Sequence, residues 1–144
     1  MSIQVIEEGP RNLIVQIRGN APETIVAADA SPPCEDFRIL SVNFSGPADV
    51  VAQLDWEGDT NVEAWTGNPE RDVSKFCEFM GLVNYADGKT GNIIVTPPAA
   101  GPYGLVIHLK KVRPVGMWSP PVVPALVTET GDTLITEDGD AIVV

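Results

Sequence analysis

The amino-acid sequence predicts an all-β fold: an antiparallel β-sandwich or jelly-roll-like body carrying an extended C-terminal arm. Three observations lead there. Apolar residues recur at every second position in several short segments, the period of a strand with one buried face. Thirteen glycines and 13 prolines among 144 residues cut the chain into pieces too short for long helices. After Arg113 the composition turns proline-rich and then acidic and repetitive.

The elements follow in order. Ile3 to Glu7 reads as a strand ended by Gly9-Pro10. Asn12 to Arg18 alternates Leu13, Val15 and Ile17 with Ile14 and Gln16, and Gly19-Asn20-Ala21-Pro22 stops it. Thr24 to Ala27 offers a short third strand, and Ser31-Pro32-Pro33 then forbids regular pairing. From Phe37 to Ser45 the sequence sets Leu40, Val42 and Phe44 on one face and Ser41 and Asn43 on the other. The segment Ser45-Gly-Pro-Ala-Asp49 is a turn by composition. Val50 to Trp56 returns with Val50, Ala52, Leu54 and Trp56 on one face, so the two strands read as an antiparallel hairpin with one wet face. Asn61 to Thr66 extends it into a meander after the turn at Glu57-Gly58-Asp59.

Pro69 to Tyr85 reads as loop with short strand or helical pieces. Gly88-Lys-Thr-Gly91 is a turn, Asn92 to Thr96 a strand, and Pro97 to Pro102 a stiff loop. Tyr103 to Arg113 closes the body, with Leu105, Ile107 and Leu109 facing in against Val106, His108 and Lys110.

The domain plan is a sandwich body over residues 1–113, a spacer over 114–124 and an arm over 125–144. Four prolines stand in the eleven spacer residues, a composition that favours semi-rigid polyproline II. The arm repeats with period eight: Leu126-Val-Thr-Glu-Thr-Gly-Asp-Thr133, then Leu134-Ile-Thr-Glu-Asp-Gly-Asp-Ala141, then Ile142-Val-Val144. Its apolar pairs make strands too short to stand alone and need a neighbour, from this chain or another.

Charge narrows the partners. The chain has 20 acids against 9 bases, a net −11. Phosphate recognition needs clustered Lys and Arg, which this sequence lacks, so no nucleic-acid partner is expected. Anionic membrane surfaces are disfavoured for the same reason, and no apolar run approaches a membrane span. The first eight residues lack the basic and apolar regions of a signal peptide, so folding in a cytoplasm is expected. The arm holds five of the acids and no base, leaving 15 acids against 9 bases on residues 1–124.

A search for catalytic chemistry finds little, and the sequence reads as a non-enzyme with no cofactor and no metal. His108, the single histidine, falls on the outward register of a strand without partners for base or ligand duty. Cys34 and Cys77 read as buried free thiols, with an oxidised pair as the alternative. Asp87-Gly-Lys-Thr-Gly91 lacks the earlier glycines of a phosphate loop and fits a hairpin turn. Glu137-Asp-Gly-Asp140 gathers oxygen ligands of the calcium type without EF-hand spacing, so solvated turns are the preferred reading.

What remains is surface for binding. Trp56 ends an inward register and reads as core. Trp65 divides between core and a partner or ligand platform. Met117 and Trp118 in the spacer are interface candidates, because exposed apolar groups there need cover. The repeat adds Leu126, Val127, Leu134, Ile135, Ile142 and Val143.

Five segments together carry a resemblance: Leu13-Ile-Val-Gln-Ile-Arg18, Pro33-Cys34 through Phe37-Arg-Ile39, Val51-Ala-Gln-Leu-Asp-Trp56, Thr90-Gly-Asn-Ile-Ile-Val95 and Tyr103 to Val112. Their succession resembles small virion structural proteins of tailed bacteriophages, and the Leu-Ile-Thr-Glu-Asp-Gly-Asp repeat is similar to the ends of many phage structural proteins. The resemblance is one of strands and turns and transfers no functional residue. It implies a sandwich subunit on a symmetric particle, often a homotrimer where capsid proteins meet. A capsid decoration (cement) protein bound to the major capsid protein is the first expectation, located on the capsid surface of the virion. A tail or head–tail connector component is the second. A carbohydrate- or host-surface-binding module built on Trp65 and residues 67–90 is the third.

Overall fold

The computed structural model describes residues 3–69, 73–76 and 80–114. Among the described residues nine strands run β1 (Ile3–Glu8), β2 (Asn12–Ile17), β3 (Glu23–Ile25), β4 (Asp36–Ser45), β5 (Ala52–Trp56), β6 (Val62–Gly67), β7 (Val73–Lys75), β8 (Ile93–Thr96) and β9 (Gly104–Val112). A short 3-10 turn spans Ala27–Asp29. Two antiparallel sheets result, ordered β1-β2-β9-β4-β7 and β3-β8-β5-β6. The all-β sandwich expected from the sequence is the fold.

The pairing has a simple rule. β5 pairs with β6, β4 with β7, β3 with β8 and β2 with β9. These pairs nest about the β5–β6 hairpin, as if one long antiparallel ribbon had been bent over into two layers. Two further ladders, β4 with β9 and β5 with β8, join the arms of the ribbon within each layer. β1 stands outside this nest and, among the described residues, adds to β2 alone.

Period-two alternation decides which residues fill the interior. Leu13, Val15 and Ile17 of β2, Leu105, Ile107 and Leu109 of β9, and Phe37, Ile39, Val42 and Phe44 of β4 face Ile25, Ile93, Val95, Ala52, Leu54 and Trp56 from the other layer, all buried. Each large side chain so buried contributes roughly 1.5–3 kcal/mol of transfer free energy.

Three expectations need correction. The strands Phe37–Ser45 and Val50–Trp56 do not form a hairpin or meander: β4 lies in one sheet and β5 in the other. Both carry one apolar face, and such faces can be satisfied side by side in a ladder or opposite each other across a core. Here the linker at Gly46-Pro47 carries the chain across the sandwich, and only the β5–β6 half of the proposed meander exists. Second, Leu40 does not share the inward face. The β4–β9 register shifts between Ile39 and Ser41, so the extra residue of the bulge sends Ile39 inward and leaves Leu40 half-buried. Third, residues 87–91 turn the chain but join no paired strands, since β7 and β8 belong to different sheets.

Candidate interaction surface

The groups with chemical potential are mostly committed to structure. His108 is half-buried on the outer face of its sheet, in register with Ile14 and Ser41. Cys34 is free and buried, and its thiol donates to the Ala27 carbonyl at 3.8 Å. Burial pushes its pKa up to about 11, against the opposing pull of the Lys111 charge. A thiol so protonated near neutrality is a poor nucleophile. Cys77 lies outside the described residues. No group of three or more His, Cys, Asp or Glu side chains is arranged to hold a metal ion among the described residues. No helix there is long and apolar enough to cross a membrane.

The Asp87-Gly-Lys-Thr-Gly91 segment is shaped by close backbone contact. Gly91 has φ +89°, and a Cβ there would stand 2.0 Å from the Glu35 carbonyl oxygen. Gly88 has φ +61° and packs on the Asp59 carboxylate. Both glycines serve packing. Thr90 Oγ1 and Asn92 Nδ2 donate to Glu57 Oε1 at 2.6 and 2.8 Å, which lowers the Glu57 pKa below its ordinary value.

Two buried polar clusters fix the end of the sandwich where β9 finishes. Lys111 continues the inward register after Leu109, and its side chain is 0% exposed. Its Nζ lies 3.0 Å from Glu8 Oε2 and donates to the Pro32 carbonyl at 3.2 Å. The same Glu8 oxygen accepts the Ser31 N–H at 2.6 Å. Beside it, Asp36 Oδ1 accepts from the Phe37 N–H and from Asn84 Nδ2 at 2.8 and 3.1 Å, while Oδ2 lies 3.2 Å from Lys89 Nζ. Asn84 Oδ1 in turn accepts the Ala86 N–H at 3.0 Å. The first cluster clamps β1 to the body; the second holds residues 84–89 against β4. The period-two reading of 105–109 would have reached Lys111 had it run one step further.

A shallow cleft of about 340 Å³ lies between Gln16–Asn20 and Gly101–Tyr103. Two of its polar groups are engaged: Tyr103 donates its hydroxyl to the Gly19 carbonyl, and Asn20 Nδ2 donates to Pro98 O at 2.9 Å.

Trp56 is core, as expected. Trp65, weighed as a ligand platform, is 8% exposed. It packs edge-on to Phe44, ring centroids 6.3 Å apart at 82°, and its Nε1 donates to Ser74 Oγ at 3.2 Å. That bond spans from β6 to β7 and closes one side of the sandwich, so the platform is not at the surface. The other interface candidates, Met117, Trp118, Leu126, Val127, Leu134, Ile135, Ile142 and Val143, lie outside the described residues, as does the acidic Glu137–Asp140 run.

Besides the single residue Val51, apolar surface is exposed in two places among the described residues, the first within the 67–90 stretch offered with Trp65 as a platform and the second not singled out by the sequence. Met80, Val83 and Tyr85 project from the loop that the Asp36 cluster anchors, Tyr85 at 68%. At the other edge of the same sheet, Val5 and Ile6 of β1 are 51% and 53% exposed. Val5 pairs with the buried Val15 and so points to the inner side of its sheet. It stays open because the five-stranded sheet overhangs the four-stranded one. The register shift between Val5 and Glu7 places a bulge at Ile6, and Glu7 and Glu8 charge the strand's second half. Bulges and charges blunt an edge against indiscriminate pairing, which leaves Ile3 to Ile6 as its uncharged part.

Comparison with protein-family models, with curated proteins and with solved structures returns no match.

Proposed function

We propose that this chain is a virion structural subunit of a tailed bacteriophage, a capsid decoration (cement) protein acting through protein–protein contacts. In this reading it sits as a homotrimer on the shell formed by the major capsid protein. The observation that carries it is the nested pairing of β2 to β9 about the β5–β6 hairpin. We read that winding as a jelly roll, an architecture that viral capsid domains use. Architecture is support by analogy, and the likeness of the strand succession and the octapeptide repeat to tailed-phage virion proteins points the same way. The net charge of −11 suits a basic shell surface. A stiff spacer and a repeat that needs a strand partner add contacts to neighbours, and many such contacts on one particle reinforce one another.

Quantitative densitometry of purified virions of the encoding phage tests the proposal. A copy number in proportion to the major capsid protein is expected. A single ring's worth of copies would move the protein to the connector or tail, and its absence from particles would end the virion reading. Lectin domains share the jelly roll, so a carbohydrate-binding module built on residues 67–90 is the alternative of another class, although Trp65, its first aromatic, is buried.

A further inference from the structure

We propose that the open edge of β1, at Ile3 to Ile6, is the docking site for the octapeptide repeat beginning at Leu126 of a second copy of this chain. The proposal rests on the reading above as a multi-copy structural subunit and names the surface by which the copies join.

The edge is suited to receive a strand. Among the described residues β1 pairs on one side only, with β2. Val5 is half exposed although it faces inward, so an added strand would cover apolar surface as well as extend the ladder. The repeat is suited to supply that strand. Leu126-Val-Thr and Leu134-Ile-Thr are uncharged, β-prone triplets, each followed by Glu and then by a Gly-Asp turn. Charge selects the direction. Run parallel, the repeat would set its glutamate beside Glu7 and Glu8. Run antiparallel, the glutamate falls at the Ile3 end of β1, where Ile17 is the register partner and Arg18 follows it.

Reach admits the second copy. Glu8 contacts Lys111 at 3.0 Å, so the described chain ends at Pro114 close to the Glu8 end of its own β1. A six-residue strand is about 20 Å long. The eleven residues 114–124, at the polyproline II rise, span about 34 Å. A spacer of that length is sufficient to carry Leu126 past its own edge to a neighbour's, and we take it to do so. A contact in which one copy donates an arm and the next donates an edge is heterologous, and it closes when the rotation between copies closes. A trimer is one such ring.

Complementation of full-length variants tests this. Val5→Lys removes the receiving edge at a half-exposed position, and a melting temperature equal to that of the dilute wild type confirms that its body is folded. Leu126→Glu with Leu134→Glu removes the donating strand. The wild type is expected to sediment as a closed oligomer and each variant as a monomer. An equimolar mixture of the two is expected to give a one-to-one heterodimer, since one edge and one arm remain and the ring cannot close. A monomeric wild type, a Val5→Lys protein that assembles as the wild type does, or a mixture that stays monomeric would each overturn the proposal. If the wild type is monomeric alone, yet Val5→Lys abolishes binding to purified shells, the edge takes a capsid-protein strand; the virion reading then survives and this inference fails.

Discussion

Among single residues, Cys34 shows how environment disarms a reactive group. Its pKa of about 11 stands above the ordinary 9.0 because burial penalises the thiolate more than the Lys111 charge favours it. A raised pKa means the native state holds the proton more tightly than the unfolded chain does. The resulting stabilisation is complete below pH 9 and is lost as pH rises toward 11. Thermal unfolding of the wild type and of Cys34→Ala, both in a Cys77→Ser background, measures it. The advantage of the wild type should be constant from pH 7 to about 8.5 and shrink between pH 9 and 11. A difference independent of pH would show that the thiolate is no worse solvated in the fold than outside it.

Strands are the scale at which the buried ion pair acts. β1 contributes no fully buried residue, and beyond its ladder to β2 the Glu8–Lys111 pair is what fixes its end. Because Lys111 is wholly enclosed while Glu8 keeps some water, the two partners are not equivalent. Glu8→Leu strands a buried ammonium and should cost about 3 kcal/mol in urea unfolding; adding Lys111→Met should restore most of that loss. A double variant no more stable than Glu8→Leu would mean that packing, and not charge, sets the cost. This pair was illegible in the sequence, where Glu8 and Lys111 stand more than a hundred residues apart. The strands themselves were legible, because alternation is local: β2, β5, β8 and β9 were expected within two residues of their bounds. Which strand neighbours which was not. The faces of Val42-Phe44 and Leu54-Trp56 are equally apolar whether the strands lie in one sheet or oppose each other. The bulge at Leu40 also breaks the alternation that placed Leu40 inward. For the interaction surface, β1 was recognised as a strand, but its openness depends on the unequal width of the two sheets, a property of the assembled sandwich that no local pattern encodes.

At the level of the whole molecule, the described core is assembled from residues that precede the spacer. Every buried hydrophobic residue named in the core falls between Leu13 and Leu109, and the nested pairing that closes both layers ends with β9. Removing residues 115–144 takes away five of the 20 acids and no base, which lessens self-repulsion and deletes none of these contacts. A chain ending at Pro114 should therefore unfold, when dilute, within about 0.5 kcal/mol of full length, the range of changes that leave a core untouched. The two should part as concentration rises. Association through an arm and an edge stabilises only the chain that owns both, so the full-length midpoint should climb with protein concentration while the truncated midpoint stays level. A truncated chain that is several kcal/mol weaker even when dilute would mean that the arm packs against its own sandwich. Its apolar pairs would then already have their partner, and no strand would be left to offer a neighbour.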